Sequence, residues 1–215
     1  MPPTTQATRA TRATRATRAD GARTRAGILR EAVSLASLDG LDGLTIGRLA
    51  AALDMSKSGL YAHFGSKQEL QLAIVEEAGR IFDAEVLQPA LAAGPGLPRL
   101  LVLCDSFLGH LERQTFPGGC FFSGAALELA MRPGPVNQRV TTVLHAFGEL
   151  IQDCIRTAIA QGELPATEDP AELALEMHGL LLAANTGFVV QRDPRIFDLA
   201  RRTVRRRLGS ELAAV

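Results

Sequence analysis

From Thr24 onward, apolar residues recur at three- and four-residue spacing, beginning with Ile28, Leu29, Ala32, Val33, Leu35 and Ala36. That spacing places them on one face of an α-helix. Asp39-Gly40 and Asp42-Gly43 end the helix in a turn. Thr45 then caps a helix over 46–53 that carries Ile46, Leu49, Ala50 and Leu53 on one side. Ser56 caps a short helix from 57 to about 63. Ser66, with Glu69 three residues on, opens a longer one predicted to run to about Leu87, where Pro89 stops it.

The rest of the chain is punctuated by glycine and proline. Breaks at 94–98, 117–119 and 133–135 bound a helix near 99–115 and a long helix over 136–161, with Gly162 as its stop. Asp169-Pro170-Ala171-Glu172 and Asp193-Pro194 open two further helices, over 170–191 and 194–212. No run alternates with period two, so the chain is all-α, with about nine helices in total.

Composition adds two things. Aromatics are only 5% of the chain and Trp is absent, which predicts a core of Leu, Ala, Val and Ile. The net charge of zero conceals an asymmetry: residues 1–67 carry ten Lys and Arg against five Asp and Glu, and the remainder thirteen against eighteen. A basic end on an acidic body predicts that one end meets a polyanion. Residues 7–18 read Ala-Thr-Arg four times over, a low-complexity basic arm with no apolar face to bury. The expected organisation is therefore an arm over 1–22, a three-helix basic domain over 23–68 and a helical body over 69–215.

The chemistry-bearing stretch is TIGRLAAALDMSKSGLYAHF at 45–64, two short helices joined by a tight turn, the helix-turn-helix arrangement. Ala50 is small where the helices approach, and Leu49, Leu53, Met55 and Leu60 form the wedge between them. The outer face of the second helix, with Lys57, Ser58, Tyr61 and Ala62, is left to enter a major groove. Its N-terminus, at Ser56, points unpaired N–H groups and a positive dipole end towards DNA.

LTIGRLAAALDMSKSGLYAHFGSKQEL closely resembles the signature of the TetR (tetracycline repressor) family, through Leu44-Thr45, Leu49-Ala50, Leu60-Tyr61-Ala62-His63-Phe64 and Lys67. The resemblance covers about residues 24–75. It implies that Thr45 touches a phosphate, that Tyr61 and His63 grip the backbone beside the groove, and that Lys67 makes a phosphate contact. It puts Lys57 and Ser58 at the variable positions that read base edges. It also implies a homodimeric repressor on a pseudo-palindromic double-stranded operator, with a C-terminal domain that dimerises and holds a small effector. The family usually has glycine in the turn where Asp54 stands. Asp tolerates left-handed backbone better than most residues.

The body carries no nucleophile elbow, phosphate loop or paired carboxylates, so no enzyme activity and no cofactor are expected. Its histidines and cysteines lack metal-ligand spacing, so no metal is expected. Aromatic and adaptable residues among aliphatic helices, with a few polar handles, fit a largely apolar effector pocket: Phe107, His110, Cys120, Phe121, Phe147, Met177, His178 and Asn185. Cys120 is either a redox sensor or a small buried apolar residue. The resemblance makes the last two helices the dimer surface, and Leu173, Met177, Leu180, Ala183, Ala184 and Gly187 supply its small and apolar positions. The longest apolar run, 180–184, is far short of a bilayer span of roughly 20 residues. An odd cysteine count and an N-terminus unlike a secretory signal give a cytoplasmic expectation. A constitutive DNA-binding protein with a filled core, or a helical enzyme or binding protein, are the competing readings.

Overall fold

The structure, a computed structural model, describes residues 24–209. The repeat arm therefore lies outside the described residues. All regular structure among those described is helical. Helix α1 spans 24–39. It is followed by α2 (Ile46–Ala52), α3 (Lys57–Phe64) and α4 (Lys67–Phe82). A π-helical turn, Asp83–Leu87, joins α4 to α5 (Gln88–Ala92). The body continues with α6 (Leu97–Glu112), α7 (Phe121–Leu129), α8 (Pro135–Ala160), α9 (Pro170–Gln191) and α10 (Arg195–Arg207).

Local chemistry accounts for the boundaries. Thr45, Ser56 and Ser66 each accept a backbone N–H three residues on, from Arg48, Gly59 and Glu69 at 3.0–3.1 Å. Asp169 accepts two, from Ala171 and Glu172. These bonds satisfy donors that the first helical turn leaves free. Helix α2 ends in a Schellman motif: Met55 N–H bonds Ala50 C=O at 2.9 Å and Asp54 N–H bonds Ala51 C=O at 3.3 Å. That closure needs a left-handed residue, and Asp54 takes it at φ 52°.

Pro89 does not stop the fourth helix. The ladder widens before it, Gln88 N–H reaching back five residues to Asp83 C=O, and the proline sits in the first turn of α5. There its missing N–H and fixed φ are tolerated. The core also departs from its composition. All nine phenylalanines are buried. Phe82, Phe107, Phe122 and Phe147 meet in the body at centroid distances of 5.5–6.1 Å, mostly edge to face. A scarce residue class is concentrated in one place.

Helix α9 is long and apolar enough to cross a membrane by length and composition, with 22 residues that include an 18-residue stretch of mean hydropathy 1.4. The longest uninterrupted apolar run did not reveal this. In this fold α9 packs against α6, α8 and α10 through Leu173, Met177, Leu181, Ala184 and Phe188.

Candidate nucleic-acid interface and effector cavity

Helix α3 is anchored by Leu60 and Phe64, both buried, and Arg25 of α1 lies over the Phe64 ring at 4.9 Å. Its other side is open: Ser56, Lys57, Ser58 and Tyr61 are exposed, and Tyr61 keeps 48% of its surface in solvent. A half-exposed aromatic that is not needed by the core is free to lie against a ligand. Thr45 is exposed beside them. Its hydroxyl oxygen is occupied by the cap, but its proton remains available to a phosphate oxygen. Gly47 leaves room for the Lys57 stem, since a Cβ there would meet Lys57 Cε at 3.1 Å.

The other two candidates sit differently. His63 is half-buried against the end of α3. The Lys67 ammonium donates to Asp42 C=O at 3.0 Å and lies 3.7 Å from the Asp42 carboxylate. In this conformation Lys67 braces the α1–α2 loop rather than standing free for a phosphate, because the N-terminus of α4 abuts that loop. Buried Gln71 acts beside it, donating to Leu41 C=O and to Asp42 Oδ1 at 3.0 and 2.9 Å.

That loop is also held from the body. The Glu128 carboxylate, near the end of α7, accepts the N–H groups of Leu41 and Asp42 at 2.7 and 2.8 Å. Arg132 pairs with Asp42. Gly118 donates its N–H to Ser37 Oγ at 3.1 Å and lies so close to α1 that a Cβ would collide with the Ser37 carbonyl. Sequence reasoning missed these residues. They act across separations of 81–90 positions, and no local pattern marks them.

The predicted pocket residues divide. Phe107, Cys120, Phe147 and His178 line one internal cavity, with Phe82, Phe122, Ser123, Val143 and Leu144. Its free volume of about 10 Å³ is room for about one water. Phe82, Val143 and Phe147 also wall an open groove of about 520 Å³ between α4, the π-turn and α8, with Arg80 and Arg139 at its edge. Phe121 falls elsewhere, in a groove of about 380 Å³ at the seam between α7 and α1. Met177 is fully buried in the core and does not reach the cavity. Asn185 is engaged in structure, its Oδ1 accepting Cys120 N–H at 2.8 Å. His110 lies behind Phe82 and is not a cavity wall. Burial pushes the Cys120 thiol above its ordinary pKa, which opposes the thiolate that a redox sensor needs.

The predicted dimer residues need a similar correction. Leu173, Met177 and Ala184 are buried within the protomer, on the inward side of α9. Ala183 is exposed, and Leu180 and Gly187 are half-buried. Leu175, Gly179, Thr186 and Val190 continue that outward stripe.

Residues 28–74 match the family described as bacterial regulatory proteins, tetR family, and residues 96–204 match the tetracyclin repressor-like C-terminal domain. The chain belongs to the TetR family. It is a DNA-binding transcriptional regulator, not an enzyme. The regulator is 25% identical over 157 residues to the transcriptional regulator AcuR of Cereibacter sphaeroides, covering 72% of this chain and 71% of that one. A TetR transcriptional regulator from Chloroflexus aurantiacus superposes with a TM-score of 0.80 at 24% identity, over 89% of this chain and 97% of the other. AibR, solved with isovaleryl coenzyme A and operator DNA, gives 0.68 at 21% identity, over 83% and 97%. At such identities the structural likeness establishes the fold.

Two histidines, His110 buried and His178 half-buried, make the regulator's stability depend on pH. Burial lowers His110 below its ordinary 6.5, outweighing the opposing pull of Glu85, and burial alone lowers His178. The folded state thus resists their protonation. Their contribution is intact above about pH 6.5 and falls as pH drops below that value. The Glu76 and Glu85 carboxylates, both held low, stay ionised in this window. Thermal unfolding at pH 7.5 and 5.5 is expected to show a clear loss at the lower pH, and His178→Gln a shallower one. An equal loss in the variant would remove His178 from the account.

Proposed function

We propose that the regulator is a homodimeric repressor whose grip on a pseudo-palindromic operator is set by a small, largely apolar effector in the C-terminal body. The observation that carries the DNA half is the open face of α3: Ser56, Lys57, Ser58 and Tyr61 exposed on a helix locked from behind by Leu60 and Phe64. On this reading residues 23–68 form the DNA-binding domain and 69–215 the effector and dimerisation domain, with the arm over 1–22 ahead of them. AibR, described with both an acyl coenzyme A and operator DNA, supports the pairing of the two activities. The ketosteroid regulator KstR2 of Mycobacterium tuberculosis has the same fold.

The path between the two activities is α7. At its start Cys120, Phe122 and Ser123 line the aromatic cavity, and its last turn carries Glu128 on the α1–α2 loop. A rigid nine-residue helix, about 13 Å long at 1.5 Å per residue, moves both ends together. A molecule that enters through the groove and parts Phe82 from Phe147 displaces that helix and changes the set of the DNA-binding domain. The small volume of the cavity favours the competing constitutive reading, and a ligand-dependent change in operator affinity separates the two.

Operator contacts are tested by substitution. Tyr61→Phe is expected to weaken binding to all sequences alike, as a lost phosphate contact does. Lys57→Ala should relax preference at one or two base positions, where a good contact discriminates by about 1–3 kcal/mol. Lys67→Ala should weaken binding without changing preference, because it loosens the loop. Profiles of the three on a randomised operator library decide the matter. Identical profiles for Lys57→Ala and Lys67→Ala would contradict these roles.

A further inference from the structure

We infer that His110 is the polar anchor of the effector site, accepting on Nε2 a hydrogen bond from a hydroxyl group on an otherwise apolar small molecule. The inference rests on the reading that the aromatic cavity is the effector site.

His110 stands on α6 with 1% of its surface exposed. Its Nδ1 lies 2.8 Å from Glu85 Oε2, and the same oxygen accepts from Arg113 Nη2 and Thr115 Oγ1, both at 2.9 Å. Burial works to raise the Glu85 pKa, but the three donors together hold it below the ordinary carboxylate value. An ionised carboxylate can only accept, so the proton between the two groups belongs to Nδ1. In the neutral ring Nε2 then presents a lone pair. Burial also disfavours the charged ring, and the Arg113 cation adds to that.

Nε2 is buried and has no hydrogen-bonding partner among the described residues. A buried acceptor left without a donor costs about 1–3 kcal/mol, and such groups in folded proteins call for an explanation. The surroundings supply one. The imidazole is met edge to face by Phe116 at 4.7 Å and by Phe82 at 5.9 Å. Phe82 is also, with Val143 and Phe147, part of the wall shared by the cavity and the open groove. A molecule that turns Phe82 aside therefore comes within reach of Nε2. Glu85, which sets the tautomer, lies in the π-turn, and such turns are common at functional sites.

The chemistry of the partner follows. A lone pair in an aromatic box attracts a neutral donor and repels an anion. A cation would be opposed by Arg113 and by desolvation. A hydroxyl on an apolar frame satisfies Nε2 while burying the rest of the molecule against phenylalanine.

The test uses molecules matched in shape: phenol with toluene, cyclohexanol with methylcyclohexane, and 1-butanol with pentane. Each is titrated into the full chain labelled with ¹⁵N-histidine, with affinity by calorimetry and operator binding followed in parallel. In the free protein His110 Nε2 should resonate as an unprotonated ring nitrogen. At least one hydroxyl compound should bind about tenfold tighter than its methyl partner and shift that resonance. In His110→Phe the preference should vanish or reverse. The inference is overturned if Nε2 is protonated at neutral pH, if methyl partners bind as well as hydroxyl ones, if binding leaves Nε2 unmoved, or if no pair binds. Ligands that lower operator affinity while His110 stays silent sink this inference alone. Absence of operator binding altogether sinks the regulator reading.

Discussion

Arginine at position 183 is expected to give a folded monomer that has lost tight operator binding. Ala183 lies on the outward stripe of α9 with Leu175, Gly179, Thr186 and Val190, spaced three and four apart. Leu175 and Val190 are each 74% exposed. Beside the stripe, Gly179 and Leu180 join Thr203, Arg206 and Arg207 of α10 around a groove of about 600 Å³. An apolar stripe along a 22-residue helix has the length and composition of a symmetric helix-to-helix contact. In the lone protomer an arginine at 183 points to water and leaves the fold intact. In the dimer it would be desolvated without a partner, at several kcal/mol. Light scattering should give a monomer, and operator affinity should fall by about 10³-fold or more, to the non-specific, salt-sensitive level. Ala184→Arg is the control. That residue is buried within the protomer, so the variant should fail to fold. A dimeric Ala183→Arg that binds normally would place the interface elsewhere.

The second large effect is expected at the seam between body and DNA-binding domain. Glu128→Ala removes the acceptor for two backbone donors at once, Leu41 and Asp42. Hydrogen bonds to a charged acceptor contribute about 1.5–3 kcal/mol each, so the seam should weaken by about 3 kcal/mol or more. Gly118→Ala attacks the same seam sterically, because its Cβ would press on the Ser37 carbonyl, which belongs to the backbone and cannot swing away. Both variants should remain dimeric. Both should bind operator at least about tenfold more weakly, because two heads with loose orientation lose the register that a two-fold site requires. Any effector that shifts operator affinity in the parent should shift it less in either. Glu128→Gln, which keeps acceptor oxygen but not charge, should fall between. Parent-like operator affinity and response in Glu128→Ala would break the link through α7.

What could be read from the sequence is what is local. The caps at Thr45, Ser56, Ser66 and Asp169 act within three residues, and the helix-turn-helix is complete within twenty, so residue type and spacing were enough. Asp54 in the left-handed region was legible through the family resemblance, which puts glycine at that position. Pro89 was misjudged because the widened turn before it depends on packing of α6 against Glu85 and its neighbours. On α9 apolar residues fall on every side of the helix, so periodicity cannot tell the inward residues Leu173, Met177 and Ala184 from the outward Ala183. Lys67 carried the right charge at the right helix end, yet Asp42 of another loop engages it. Glu128 and Gly118 had no signal at all, since their importance exists only once α7 lies beside α1. Around the cavity, aromatic type singled out residues that the fold brings near one another, but only the fold separates the cavity walls from the residues behind them.

The most direct test of the whole account is to offer the purified full-length protein sheared genomic DNA and sequence the fragments that it retains at physiological salt. A shared inverted repeat is expected, its half-sites in register with the double helix and bound by two chains as measured by light scattering of the complex. Retained DNA without any common motif, or a single half-site bound by one chain, would contradict it.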